Sequence, residues 1–80
     1  MNNSVFDEFD RVNSHSWSKN KPTDEAVIMA SRLYGKVLAE SYKHESNDSE
    51  DEGYFGVVMR LKPVIIRALA RSYQAILEEE

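Results

Sequence analysis

Apolar side chains recur at intervals of three and four residues in three segments of this 80-residue chain, at about residues 4–13, 23–44 and 50–78. This spacing places the apolar groups on one face of an α-helix. The connections between the segments are short, and no internal repeat is visible. The pattern predicts an all-α fold, a small bundle of three helices that forms one domain over residues 1–80.

Local signals mark the starts of the first two helices. Ser4 can cap the first helix through its side-chain oxygen, and Asp7 follows three residues later. Thr23 can cap the second helix in the same way, and Pro22 disfavours helix in the residue before it. Residues 13–22 (NSHSWSKNKP) lack helical periodicity, so we expect them to form a loop.

Pro63 interrupts the longest apolar segment. Proline has no amide hydrogen to donate to the carbonyl of Met59, and its ring clashes with that carbonyl in a straight helix. The apolar positions nevertheless keep their phase across the proline. This continuity favours one kinked helix, and two separate helices are the alternative. The three glutamates at 78–80 oppose the helix dipole, so we expect the end of this helix to fray.

The segment at residues 45–53 (ESNDSEDEG) is acidic and has almost no apolar groups, which is typical of a solvated linker. It resembles the opening of a calcium-binding loop, but Met59 occupies the twelfth position, where a glutamate ligand is required. The pair His44 and Glu45 resembles the start of a zinc-protease helix, but Asp48 stands where the second histidine ligand is needed. We therefore expect no metal site and no cofactor.

The composition and the absence of known catalytic motifs argue against an enzyme. The chain has no cysteine, which removes thiol nucleophiles and cysteine-ligated zinc or iron–sulfur sites. It has no G-x-S-x-G nucleophile motif and no glycine-rich phosphate loop, and a domain this small encloses little volume for a substrate. We expect a protein that is not an enzyme. Without disulfides, a secretory signal or a membrane-spanning segment, we expect it to be cytoplasmic and to have no membrane partner.

A stripe of arginines is the strongest functional signal. The net charge of −4 opposes indiscriminate binding to nucleic acid, yet residues 54–77 contain no acid. One helical face in this segment carries Arg60, Arg67 and Arg71, with Gln74 beside them. No acid lies three or four residues from any of these arginines. The stripe is solvated or paired with acids elsewhere in the chain, binds an acidic protein partner, or contacts the phosphates of DNA or RNA.

Trp17 lies in the polar loop between two serines. Because burial of its large apolar ring is favourable, we expect Trp17 to fold back and cover the core. The alternative is an exposed anchor for a binding partner.

The last helix has a wider apolar arc than an ordinary surface helix. One flank of that arc carries small side chains at spacings of seven, four and seven: Val57, Val64, Ala68 and Ala75. Small side chains let helix backbones approach closely, so we expect this small-residue flank to pair with a second copy, most simply as a two-fold homodimer. The alternative is a monomer in which residues 13–22 and Trp17 cover the flank.

These features favour a non-enzymatic helical protein that acts by binding another protein, as a regulator or inhibitor. Its small size and acidity, and no particular motif, lead us to expect a phage, plasmid or bacterial accessory protein. The candidate partner-binding residues are Arg60, Arg67, Arg71, Gln74 and Trp17. The alternative is a small nucleic-acid-binding regulator that uses the face of Arg60, Arg67 and Arg71.

Overall fold

The computed structural model describes residues 4–44 and 53–80. These residues form four helices: α1 (Val5–Asn13), α2 (Asp24–His44), α3 (Gly53–Arg60) and α4 (Lys62–Glu79). No strand occurs among them, so the all-α prediction is confirmed for this part of the chain, with four helices where three were expected. Residues 45–52, which hold most of the predicted acidic linker and of the calcium-loop and zinc-helix patterns, lie outside the described residues.

Side-chain caps define the starts of α1 and α2. The Ser4 hydroxyl oxygen accepts a hydrogen bond from the amide of Asp7 at 3.1 Å, and the Asp7 carboxylate accepts from the amide of Ser4 at 3.4 Å. This reciprocal arrangement is a capping box. At α2, the Thr23 hydroxyl oxygen accepts from the amide of Ala26 at 3.3 Å. Both caps satisfy amides that a helix start would otherwise leave without partners.

The predicted kinked helix is divided into α3 and α4 at Leu61, two residues before Pro63. The interruption is short, because the amide of Leu61 still donates to the carbonyl of Val57 at 3.0 Å, and the amide of Ile65 donates to the carbonyl of Leu61 at 2.9 Å. Pro63 lies near the start of α4, where its missing amide hydrogen costs nothing. The apolar phase across the proline therefore reflects two nearly continuous helices.

A side chain of α2 forms a hydrogen bond at the break between α3 and α4. The carbonyl of Val58 would receive the amide of Lys62 in an uninterrupted helix. In the structure it accepts the hydroxyl of Tyr34 at 3.0 Å, in a buried contact. Tyr34 thus gives this carbonyl a partner at the point where Pro63 disturbs the helical pattern.

The core lies between α2 and α4, and α1 and α3 extend it. Thr23 at the start of α2 bonds to Gln74 late in α4, and Tyr34 bonds to Val58 just before α4, so α2 and α4 run antiparallel. The buried cluster consists of Val12, Ala26, Ala30, Leu33, Tyr34, Val37, Val58, Leu69, Ala70 and Tyr73. These residues come from all four described helices, so each helix contributes an apolar face to one core.

The loop at residues 14–23 lies against α4. The amide of Ser18 donates to the carbonyl of Arg71 at 3.2 Å, and the hydroxyl of Ser72 donates to the carbonyl of His15 at 3.4 Å. Backbone-directed hydrogen bonds therefore fix this loop, which has no helical structure of its own. None of the described helices combines the length and apolar content that a bilayer crossing requires.

Candidate functional site

Two adjoining cavities lie beside the loop at residues 14–23, and they share Lys21 and Pro22. The first, which we call the apolar cavity, has a volume of about 360 Å³. Its apolar lining consists of Pro22, Val27, Pro63, Ile66 and Ala70, and its cations are Lys21, Lys62 and Arg67. The second, which we call the tryptophan cavity, has a volume of about 540 Å³. It is lined by Trp17, Ser18, Lys19, Asn20 and Arg71 in addition to the two shared residues. We call the two cavities together the basic groove.

The basic groove has one sign of charge. Among the residues that the structure describes, its lining holds five cations and no acid. The cations are Lys19, Lys21, Lys62, Arg67 and Arg71. Half of the ten lysines and arginines of a chain with net charge −4 thus surround this one groove. Such a concentration of cations favours anionic groups, although the Glu78 carboxylate is bonded to Ser18 and Asn20, two of the lining residues.

Two other cavities among the described residues have mixed charge. A cavity of about 500 Å³ beside α1 is lined by Asp7 and Glu8 as well as Arg11 and Lys36. A smaller one of about 160 Å³ between Glu8 and Tyr73 also carries both signs. Opposite charges at short range reduce the net attraction for either kind of ion, so the basic groove is the stronger candidate for a charged partner.

Trp17 contradicts the expectation that it covers the core. Its side chain is 55% exposed, and the guanidinium carbon of Arg71 lies 5.4 Å from the centroid of its ring. This distance is within the range of a cation–π contact. The neighbouring residue, Ser18, is bonded to the backbone of Arg71, so the loop holds Trp17 at the surface. Its position agrees with the alternative prediction that the tryptophan is exposed.

Glu78 anchors the loop that carries Trp17. Its carboxylate accepts hydrogen bonds from the Ser18 hydroxyl at 2.9 and 3.0 Å, from the Asn20 amide nitrogen at 2.7 Å and from the Gln74 amide nitrogen at 3.1 Å. The bonds from Asn20, Gln74 and Ser18 favour the charged carboxylate and lower the pKa of Glu78 below its usual range. The helix α4 continues to Glu79, one residue beyond Glu78. These contacts hold the last turn in place.

Sequence reasoning missed this role of Glu78. The run of three glutamates indicates a repelled helix end, and the donors at Ser18 and Asn20 lie about 60 positions away in the chain. The available signal was weak: a loop rich in hydroxyl and amide side chains that can donate hydrogen bonds to a carboxylate.

The predicted arginine stripe is only partly brought together. Arg67 and Arg71 are exposed and line the two cavities of the basic groove. Arg60 is exposed at the end of α3 and does not line either cavity. The break at Leu61 separates it from the other two, which lie on α4.

Gln74 does not fit its predicted role in partner binding. Its side chain is only 8% exposed. The carbonyl oxygen accepts the amide and the hydroxyl of Thr23 at 2.9 and 3.0 Å, and the amide nitrogen donates to Glu78. These partners occupy the polar groups of Gln74, so its contacts support the fold beneath the groove.

The small-residue flank is also divided by the structure. Val64 is 55% exposed, and Val57 and Ala68 are half-buried. Ala75 is 9% exposed and belongs to the buried residues, so it is not available to a second copy. The loop at residues 14–23 contacts α4 on both sides of this position, through Arg71 and Ser72 and through Glu78. The accessible part of the flank therefore ends near Ala68.

Neither metal-binding clusters nor related proteins assign a function to the basic groove. No group of three or more histidine and acidic side chains suited to a metal ion is found among residues 4–44 and 53–80. Comparison with known protein families, curated protein sequences and solved structures found no match.

Proposed function

We propose that this protein is a non-enzymatic regulator or inhibitor that binds an acidic surface of another protein through the basic groove. One observation carries the proposal: five cations surround an apolar cavity and an exposed tryptophan, and none of the described lining residues is acidic. Trp17 and the apolar cavity can anchor a partner, and the five cations favour a partner with negative charge.

The residue types in the groove are those that contribute most at protein interfaces. Tryptophan and arginine are enriched among the side chains whose removal weakens binding most. Trp17 and Arg71 already contact each other in the free protein, so fewer side-chain conformations are lost on binding. The cations also favour productive encounters with an acidic partner.

The test is affinity capture from cells that express the protein. We expect the wild type to retain a partner and the double variant Arg67→Ala/Arg71→Ala to lose it, because one cation is removed from each cavity. The matched control is Arg32→Ala/Lys36→Ala, which removes the same charge from exposed positions on α2 outside the groove. Retention of the same partner by the Arg67/Arg71 variant would contradict the proposal.

A second function is favoured by the exposure of Trp17 beside Arg71, Lys19 and Lys21. Single-stranded nucleic acid binds where bases can stack on aromatic rings flanked by cations. A short single-stranded oligonucleotide should then quench the fluorescence of Trp17, with an affinity that falls steeply as salt is raised. The net charge of −4 weighs against this function, and unchanged fluorescence at low salt would dismiss it.

A further inference from the structure

Beyond the general preference for acidic proteins, the geometry points to the form of the partner. We propose that the basic groove binds a short acidic segment carrying one bulky apolar anchor. The anchor enters the apolar cavity, and the flanking carboxylates meet Lys21, Lys62 and Arg67. This inference rests on the proposed function and names the class of ligand that the same site takes.

The apolar cavity is suited to a single large side chain. Its volume of about 360 Å³ lies near the lower end of the range for small-ligand pockets, roughly 300–1,000 Å³. Pro22 and Pro63 form part of its lining, and their rings restrict the backbone at both places. The backbone at these two prolines therefore loses little conformational freedom when the cavity is filled.

Charge complementarity identifies the flanking groups of the ligand. Lys21, Lys62 and Arg67 surround the same small cavity, and like charges brought together repel one another. Carboxylates placed between them remove this repulsion and form charge-assisted hydrogen bonds. The ammonium of Lys62 lies 5.9 Å from the centroid of the Tyr34 ring, so a contact with the core restrains one of these cations.

The tryptophan cavity extends the site along the segment. It continues from the apolar cavity through Lys21 and Pro22 and adds Lys19 and Arg71. A peptide that leaves the apolar cavity in this direction meets Lys19 and the contacting pair of Trp17 and Arg71. The aliphatic lining of the apolar cavity favours a peptide over nucleic acid, because it offers no aromatic ring for a base to stack on.

The experiment selects random dodecapeptides from a display library on the immobilised protein, in three forms. The wild type should enrich peptides in which glutamate or aspartate flanks one leucine, isoleucine, phenylalanine or tryptophan. Val27→Glu places a negative charge at a 40% exposed position that lines the apolar cavity, and should enrich none of them. Ile28→Glu is the matched control, because Ile28 is 51% exposed on the same helix and does not line the cavity.

An enriched peptide, labelled with a fluorophore, is then titrated by anisotropy. Lys21→Ala and Arg67→Ala should each weaken its binding about two- to fivefold, as expected for an exposed ion pair. Val27→Glu should weaken it more than about tenfold, because it sets like charges against each other. Ile28→Glu should leave the affinity unchanged.

Any of three results with peptides would overturn the inference: no enrichment on the wild type, enrichment of peptides without acids, or equal binding to Val27→Glu and Ile28→Glu. Tighter binding of a single-stranded oligonucleotide than of any peptide would overturn it as well, in favour of nucleic acid. If these peptides fail while Arg67→Ala/Arg71→Ala still abolishes capture of an intact protein, the partner presents a folded surface. In that case the peptide inference fails and the proposed function stands.

Discussion

At the scale of single residues, Glu78 and Arg71 determine where Trp17 lies. Glu78 holds the loop through Ser18 and Asn20, and Arg71 contacts the ring itself. Trp17 is the one tryptophan of the chain, so its fluorescence reports on this region alone. The two interactions can therefore be tested separately with the same signal.

Acidification should release the loop. The pKa of Glu78 in the folded protein lies below its ordinary value of 4.5, so the stabilisation from its hydrogen bonds is complete above pH 4.5. It is lost as the pH falls from there through the lowered pKa. The emission of Trp17 should change over that interval, as followed by a fluorescence titration. Glu78→Gln should lack this transition, and an identical titration in that variant would exclude Glu78 as its cause.

The two groove arginines should differ in their effect on stability. Arg67→Ala removes an exposed side chain and should change the free energy of unfolding by no more than about 0.5 kcal/mol. Arg71→Ala removes a cation–π contact and should cost about 0.5–1 kcal/mol, with a shift in the emission of Trp17. Thermal unfolding followed by circular dichroism measures the stability of both variants. An equal loss in the two, with no emission change for Arg71→Ala, would show that the ring contact has no effect in solution.

At the scale of helices, the sequence predicts where α1 and α2 start better than it predicts the break between α3 and α4. The caps at Ser4 and Thr23 are local, since each needs only a side chain and an amide three residues later. At the division at Leu61, the carbonyl of Val58 has its partner in the hydroxyl of Tyr34, which lies 24 residues away in the chain. Apolar periodicity across Pro63 reports which face is buried, and that face is nearly the same for a kinked helix and for two helices in line.

A double-mutant cycle tests whether the hydroxyl of Tyr34 and Pro63 are coupled at the break between α3 and α4. Tyr34→Phe removes the donor to the buried carbonyl of Val58 and should cost about 1–3 kcal/mol. Pro63→Ala removes the obstacle to a continuous helix, so the amide of Lys62 can approach that carbonyl. In the Pro63→Ala background Tyr34→Phe should therefore cost less, and chemical denaturation of the four proteins measures the difference. Strict additivity would mean that the hydroxyl and the proline are not coupled.

At the scale of the whole molecule, the buried side of each helix could be predicted, but the composition of the groove could not. Helical spacing found Arg67 and Arg71, and the position of Trp17 in a polar loop made it a candidate as well. Spacing cannot show that Lys21 and Pro22 from the loop and Val27 from α2 reach the same cavity. It also misplaced Gln74 and Ala75, because the loop at residues 14–23 contacts α4 beside them.

The homodimer stays a prediction, now with a smaller candidate surface. Val57, Val64 and Ala68 remain at least partly accessible, so any pairing would centre on the junction of α3 and α4. Ala68→Glu should convert a dimer into a folded monomer, because it places a charge between the two chains. Sedimentation velocity over a range of concentrations measures the oligomeric state of the wild type and of Ala68→Glu. A wild type that is monomeric throughout, or a variant that is still dimeric, would remove this surface from consideration.

The bonds from Ser18 and Asn20 to Glu78 also have a consequence for the order of folding. They join positions about 60 residues apart, so the closure of a large loop must precede them. During synthesis, Trp17 leaves the ribosome long before Glu78 is available to fix its loop. The loop that lines the tryptophan cavity thus gains its bonds to Glu78 only when the last turn of α4 forms. A nascent or C-terminally shortened chain can then contain every cation of the groove and still lack the bonds that fix this loop.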